Sequence, residues 1–207
     1  MKRIAESTVR RLSIYLRFLE ESEGSGHATI SSDELARLGG TTSAQVRKDL
    51  SFFGSFGKRG LGYSVPELAG AIRDILGLGR EWKVIIVGAG KIGAALAQYR
   101  GFHQRGFRIV AAYDANRAKI GRTLDSVEVR DVSALERDIA EDRPDIAVIA
   151  VPSDVAQDIL DRLVRAGVTA VLSFAAAPLH APADVTVKTV NMAMELEGLT
   201  FALTNRE

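Results

Sequence analysis

The sequence predicts an α/β protein in two parts: a small, mostly helical N-terminal unit followed by a parallel, doubly wound sheet. Three observations predict it. Residues 84–87 (Val-Ile-Ile-Val) are a wholly apolar, β-branched run, the pattern of a strand buried on both faces of a sheet. Gly88, Gly90 and Gly93 follow at once in G-x-G-x-x-G spacing, and residues 94–97 continue as good helix formers. Upstream, two helix starts fall on either side of a Gly39-Gly40 break, the spacing of a helix-turn-helix.

Composition narrows the class. The 207 residues suffice for one large domain or two small ones, and an apolar fraction of 46% is ordinary for a chain with a proper core. With no cysteine there are neither disulfides nor thiolate metal sites, and no other metal-ligand spacing occurs. No run approaches the roughly 18 apolar residues of a spanning helix, and the N-terminus has no signal-peptide apolar core. The expectation is a cytoplasmic protein without a membrane or metal partner. The net charge of +1 divides only slightly, with 12 Lys/Arg against 9 Asp/Glu in residues 1–80. Local placement of charge therefore carries more than the sum.

In chain order, Val9, Leu12, Tyr15, Leu16 and Leu19 recur at helical spacing, and the polar, glycine-rich residues 20–26 predict a loop. Ser31 with Glu34, and Thr42 with Gln45, read as capping boxes that open two short helices. In the second, Val46, Leu50 and Phe53 point inward at i, i+4 and i+7, leaving Ala44, Arg47, Lys48 and Ser51 outward. Small residues beside two adjacent cations suit a helix entering the major groove; Ser43 and Gln45, in its first turn, complete that candidate face. Residues 56–65 (Phe-Gly-Lys-Arg-Gly-Leu-Gly-Tyr-Ser-Val) predict a short hairpin with Lys58, Arg59 and Gly60 at its tip, the wing of a winged helix lying along the DNA backbone. Pro66 opens a further helix with Leu68, Ile72, Ile75 and Leu76 buried. The joint Gly77-Leu78-Gly79 closes a domain at residues 1–79.

Residues 80–190 read as a Rossmann-type domain. Gly88 permits the tight turn, Gly90 lets a pyrophosphate approach the backbone, and Gly93 lets helix and strand pack closely. The loop residues Ala89, Lys91 and Ile92 share that site. Asp114, 21 residues beyond Gly93 and closing the apolar run 109–113, predicts a carboxylate on the adenosine ribose and hence NADH or NAD⁺ as ligand. Ser133 and Glu136 predict a boxed helix start; residues 145–151, 168–174 and 185–190 predict further strands, with a helix after Pro152 carrying Val155, Ile159, Leu160, Leu163 and Val164. Ligands in such sheets lie at the C-terminal ends of the strands, so Pro152, Ser153, Ser173 and Phe174 are placed near the nicotinamide. Residues 191–207 predict a terminal helix with Met192, Leu196, Leu199 and Leu203 as an apolar stripe. That stripe docks either on its own sheet or on a second subunit.

Catalytic partners are scarce. His27 falls in the polar loop, His103 late in the helix after the glycine motif, and His180 in an alanine- and proline-rich stretch; no catalytic residue is assigned. A Rossmann domain without such partners reads as a sensor. An NAD-dependent oxidoreductase whose winged helix serves dimerisation is the alternative, and a CoA-binding relative of the fold the third reading.

The run Gln45-Val46-Arg47-Lys48-Asp49-Leu50-Ser51, then Phe53-Gly54-Ser55-Phe56-Gly57-Lys58-Arg59-Gly60, with Gly62-Tyr63, Gly88-Ala89-Gly90 and Ala150-Val151-Pro152, resembles the Rex family of redox-sensing transcriptional repressors over nearly the whole chain. The resemblance implies a homodimer with the C-terminal helix exchanged between subunits. It also implies that palindromic double-stranded operator DNA is bound when NADH is scarce and released when NADH closes the dimer. NAD⁺ would compete without causing release, and target genes would concern anaerobic and respiratory metabolism. Lys91 stands where the family often has asparagine or arginine, and Ser173 where Asn-Phe is usual. Asn191 stands where an aspartate commonly pairs with a tyrosine, for which Tyr99 is the candidate. Asparagine keeps a hydrogen bond but not a charge, which implies weaker coupling of redox state to conformation.

Overall fold

The computed structural model describes residues 4–57 and 61–205, and the chain divides into two compact units, Met1–Arg80 and Glu81–Glu207. In the first, α1 (Glu6–Gly24) is followed by β1 (Thr29–Ile30), α2 (Ser32–Leu38), α3 (Ser43–Ser51), β2 (Tyr63–Ser64) and α4 (Val65–Ile75). Its core joins Leu12, Tyr15, Leu16 and Leu19 of α1 to Leu35, Val46, Leu50, Leu68 and Ile72. The helical periodicity in the sequence predicts this set, with one exception: Val9 is exposed and Thr8 is buried in its place. The Thr8 hydroxyl donates to Asp49 Oδ1 at 3.1 Å, a reward that no apolar side chain offers.

Three further expectations need correction here. Helix α1 does not stop at residue 20, because Glu20, Glu21 and Glu23 tolerate the helix and the left-handed turn comes only at Gly26, φ +77°. The box at α2 is complete, with Ser31 and Glu34 each accepting from the other's backbone N–H, at 3.1 and 2.8 Å. The one at α3 is half made: Thr42 Oγ1 accepts from Gln45 N, but the Gln45 amide turns to Asp49. Finally, Tyr63 and Ser64 pair not within a local hairpin but antiparallel to Ile30 and Thr29. Gly54 and Gly57, at φ +144° and +75°, take residues 54–57 out of extended conformation.

The second unit is a seven-stranded sheet built from β3 (Trp82–Val87), β4 (Phe107–Asp114), β5 (Thr123–Leu124), β6 (Val127–Asp131), β7 (Ile146–Ile149), β8 (Ala170–Ser173) and β9 (Thr186–Thr189). The order is β5-β6-β4-β3-β7-β8-β9, parallel throughout except for β5. Helices α5 (Lys91–Ala97), α6 (Arg100–Gln104), α7 (Leu135–Asp142) and α8 (Ser153–Arg165) connect the strands, and α9 (Met192–Thr204) ends the chain. Strand β3 is buried on both faces: Ile85 and Val87 join the core under α7 and α8, Val84 and Ile86 the core on the other side. The order of connection reverses between β3 and β7, which opens a crevice at the C-terminal ends of those two strands.

Two local readings differ. The single helix expected after the glycine motif is broken at Gln98-Tyr99, so His103 belongs to a separate helix, α6. The Ser133–Glu136 box does not form. Asp131 Oδ1 instead accepts from Ser133 N at 2.8 Å, opening a 3-10 turn at Val132–Ala134 that leads into α7. Among the described residues no helix is long and apolar enough to cross a membrane.

Candidate nucleotide pocket and nucleic-acid interface

The crevice holds a cavity of about 840 Å³ whose floor is the turn after β3. Gly88 sits at φ +107°, and a Cβ there would fall on the Ala150 carbonyl. One on Gly93 would fall on the Gly88 carbonyl oxygen, so the fold itself requires both glycines. Gly90 is different: an added Cβ would meet nothing within 4 Å. The open space above it faces the first turn of α5, which no side chain caps, as a phosphate site requires.

Asp114 closes β4 at the next wall. Its Oδ2 accepts from Ala89 N at 2.9 Å and from Lys119 Nζ at 2.8 Å, and its Oδ1 from Asn116 N at 2.8 Å. Burial pushes this carboxyl up, but the lysine and the two amides outweigh it and hold it below the ordinary aspartate value. Three of about four lone-pair sites are thereby engaged. The aspartate expected from the sequence to meet the ribose lines the cavity, and it shares its charge with Lys119, which also lines it. The spacing of the glycine motif does not mark Lys119. The nearest signal is the turn sequence Asp-Ala-Asn-Arg-Ala-Lys, where Asn116 Oδ1 accepts from Ala118 N and swings the lysine back.

Of the expected ligand residues, Gly88, Gly90, Lys91, Ile92, Asp114 and Pro152 line the cavity. Ala89 contributes its amide to Asp114, and Gly93 its close packing. The structure does not bring the rest to the surface of this cavity. Ser153 opens α8, Phe174 packs into the core beside Leu172, and Ser173 is 0% exposed, its hydroxyl accepting from Ala175 N at 3.2 Å. Tyr99 lines a separate cleft of about 930 Å³ with Phe102, Phe107 and Arg130, and Asn191 a third cavity of about 450 Å³. Within one chain these two residues do not share a cavity. No histidine lines the nucleotide pocket; His180 is tied instead to Gln157 through its backbone N–H and carbonyl, each at 2.9 Å. Among the described residues no cluster of His, Asp or Glu is placed to hold a metal.

In the first unit, Ala44, Arg47, Lys48 and Ser51 form the exposed face of α3, with Ser43 half-buried at its start. Arg47 Nη1 donates to Ser32 Oγ at 2.8 Å, and the Ser51 hydroxyl donates to the Lys48 carbonyl. Gln45 is half-buried and donates to Asp49, so it serves the underside of the helix. Lys58, Arg59 and Gly60 lie outside the described residues. The described residues Gly57 and Gly62 approach closely, for a Cβ on Gly57 would meet the Gly62 carbonyl oxygen at 2.5 Å.

Sequence reasoning missed the group that holds α3 in place. Asp49 is wholly buried, and its carboxylate accepts from Arg11 Nε and Nη2 (2.6 and 2.7 Å), Gln45 Nε2 (2.8 Å), Tyr15 Oη and Thr8 Oγ1 (both 3.1 Å). Burial raises the Asp49 carboxyl, and these donors, Arg11 foremost, bring it below its ordinary value. The Tyr15 phenol is pushed up to about 12 by burial and the neighbouring carboxylate. One aspartate inside a run of helix formers carries no mark of burial in the sequence.

A cationic helix-turn-helix joined to a nucleotide-binding α/β sheet is the build of a ligand-responsive transcription regulator. Residues 3–51 match the family model described as the N-terminus of a putative DNA-binding protein, and residues 79–177 the CoA binding domain. The redox-sensing transcriptional repressor Rex of Carboxydothermus hydrogenoformans is 47% identical over 96% of each chain. That of Streptomyces coelicolor is 46% identical over 96% of this chain and 77% of its own. Among solved structures, the Rex-family repressor RSP in complex with NAD⁺ and operator DNA superposes with a TM-score of 0.93 at 38% identity, covering 98% of this chain and 94% of that one. The same repressor with NADH gives 0.90 at 37%, over 98% and 95%. The chain belongs to the Rex family of redox-sensing transcriptional repressors. The relatives that match over nearly the whole chain are named transcriptional repressors, which speaks for the repressor reading over the oxidoreductase one.

Proposed function

We propose that this chain, as a homodimer in the cytoplasm, represses transcription by binding palindromic operator DNA and lets go when NADH enters the crevice beside Gly90. The observation that carries the reading is the pairing, in one chain, of an exposed Arg47-Lys48 helix face with a glycine cradle and a ribose acid. Arg47 reaches base edges or phosphates, Lys48 neutralises phosphate, and the segment 58–60 follows the backbone beside them. NADH and NAD⁺ act as ligands, and neither is turned over. Pro152 takes the nicotinamide side, while Ser153, Ser173 and Phe174 support the turns around it.

Dimerisation is supported by α9. Met192, Met194, Leu196, Leu199, Phe201 and Leu203 are 61–70% exposed, and no residue of the helix is buried. The stripe expected from the sequence is in fact apolar on more than one side, as in a helix enclosed by its surroundings. A second copy supplies those surroundings by exchange. Asn191 caps this helix, accepting from Ala193 N at 3.0 Å, so exchange would carry Asn191 to the other subunit, where Tyr99 is its proposed contact.

The test is fluorescence anisotropy of a labelled palindromic duplex titrated with protein and then with nucleotide. Salt-dependent binding reversed by NADH and not by NAD⁺ is expected. Binding indifferent to both nucleotides would overturn the sensor, and reversal by CoA in place of NADH would reassign its ligand.

A further inference from the structure

Helix α3 presents Arg47, but the side chain that braces it belongs to α2. Arg47 Nη1 donates to Ser32 Oγ at 2.8 Å, across 15 residues of sequence and the Gly39-Gly40 turn. Ser32 is itself well anchored. Ser31 before it is committed to the cap of α2: its Oγ accepts from Glu34 N at 3.1 Å, and its N–H donates to Glu34 Oε2 at 2.8 Å. Strands β1 and β2 fix the same point from the other side, with Ile30 opposite Tyr63. A Cβ on Gly62 would stand 2.6 Å from the Ile30 carbonyl oxygen, so the two backbones are in close contact there. The guanidinium also stands near the Tyr63 phenol: burial pushes that phenol up, and the Arg47 cation holds the rise back. Arg47 is exposed, yet it is held where the first helix, the recognition helix and the wing strand meet.

We propose that Ser32 is a positioning residue for DNA recognition: its hydroxyl holds Arg47 Nη1, so that the guanidinium enters the major groove already ordered and with its Nε–Nη2 edge unused. The donor count allows it. A guanidinium carries five N–H donors in one rigid plane, and the bond to Ser32 takes one of the two on Nη1. Nε and Nη2 then remain as a parallel pair, the fork that matches guanine O6 and N7 side by side. An unbraced arginine loses rotamer freedom on meeting a base, and that loss is deducted from its affinity for the right sequence. A hydroxyl that orders the side chain beforehand removes part of the deduction. Contacts with phosphate depend less on such order, because they position the protein without reading sequence. Ser32 therefore acts on discrimination more than on affinity for DNA in general. The proposal rests on the reading of α3 as the helix that faces DNA.

The experiment uses the full-length protein and two labelled duplexes: a palindrome enriched by the wild type from a random-sequence pool, and a scrambled duplex of the same composition. Fluorescence anisotropy gives both affinities. Ser32→Ala should bind the palindrome about fivefold more weakly and the scrambled duplex within about twofold of wild type. Its salt slope should be unchanged, since no charge has been removed. Ser32→Thr keeps the hydroxyl and should recover the palindrome affinity to within about twofold. In an Arg47→Ala background, Ser32→Ala should add less than about twofold, for the hydroxyl then has nothing to hold. A full effect in that background would show that Ser32 touches DNA on its own account, and the proposal would fail. Equal losses on both duplexes, or tighter binding of the palindrome by Ser32→Ala, would overturn it as well. The melting temperature of each variant, expected to match the wild type, separates these outcomes from misfolding. If the wild type enriched no sequence from the pool, the DNA-binding reading would fall and this proposal with it, a result distinct from lost discrimination.

Discussion

Gly90 and Gly93 look alike in the motif but answer to different demands. The fold requires Gly93, since its Cβ would fall on the Gly88 carbonyl; Gly93→Ala should destabilise the second unit and lower its melting temperature. Gly90 has open space around it, so Gly90→Ala should fold and melt as the wild type does, yet lose NADH affinity by about tenfold or more, because its methyl stands where a phosphate approaches. Calorimetry of both variants separates the two demands. Asp114→Ala should weaken NADH binding and leave operator binding intact but less responsive to NADH; unchanged release at the wild-type NADH concentration would remove Asp114 from the ribose. On α3, Arg47→Ala should reduce operator affinity and flatten the salt dependence by about one unit of slope while NADH affinity holds. Loss of both affinities would point to misfolding.

At the scale of elements, the attachment of α3 to α1 through Asp49 makes the N-terminal unit acid-sensitive. A carboxyl held below its ordinary value contributes stability that is complete above the unfolded aspartate pKa of about 3.9, and that contribution is lost as pH falls through the lower, folded value. Asp49→Asn should therefore cost about 3 kcal/mol at pH 7, with the gap to wild type narrowing below about pH 4, as thermal unfolding across pH would report. The Glu136–Arg162 pair follows the same sign in the second unit, its contribution fading between the ordinary glutamate value and about 2. It is partly exposed, however, and so is the lesser of the two. Helix α9 carries its own prediction: a chain ending at residue 190 should lose the dimer in light scattering and, with it, high affinity for a two-fold operator.

For the molecule as a whole, sensor and reader occupy separate compact units, so any effect of NADH on DNA must run through an equilibrium between states of the whole protein. Linkage then demands reciprocity. If saturating NADH weakens operator binding by some factor, saturating operator must weaken NADH binding by the same factor. Calorimetry of NADH with and without the duplex checks this, and unequal factors would show that the two measurements do not probe one equilibrium.

The sequence alone determined whatever depends on spacing along the chain. The buried strand at 84–87, the glycine turn, the acid at the end of the next strand and the paired helices around Gly39-Gly40 all follow from period and neighbour identity, and the structure carries each of them. Tertiary structure decided the rest. The partners of Asp49 in α1 lie 34 to 41 residues away, and Arg162 is 26 residues from Glu136. Tyr63 finds its strand partner at Ile30, and Ser173 turns inward to its own loop. Even Lys119, only five residues from Asp114, reaches it through a turn that no periodicity encodes. Backbone form is governed by local sterics and hydrophobic period, whereas the charge and freedom of a functional side chain depend on which distant groups the fold brings within about 3 Å of it.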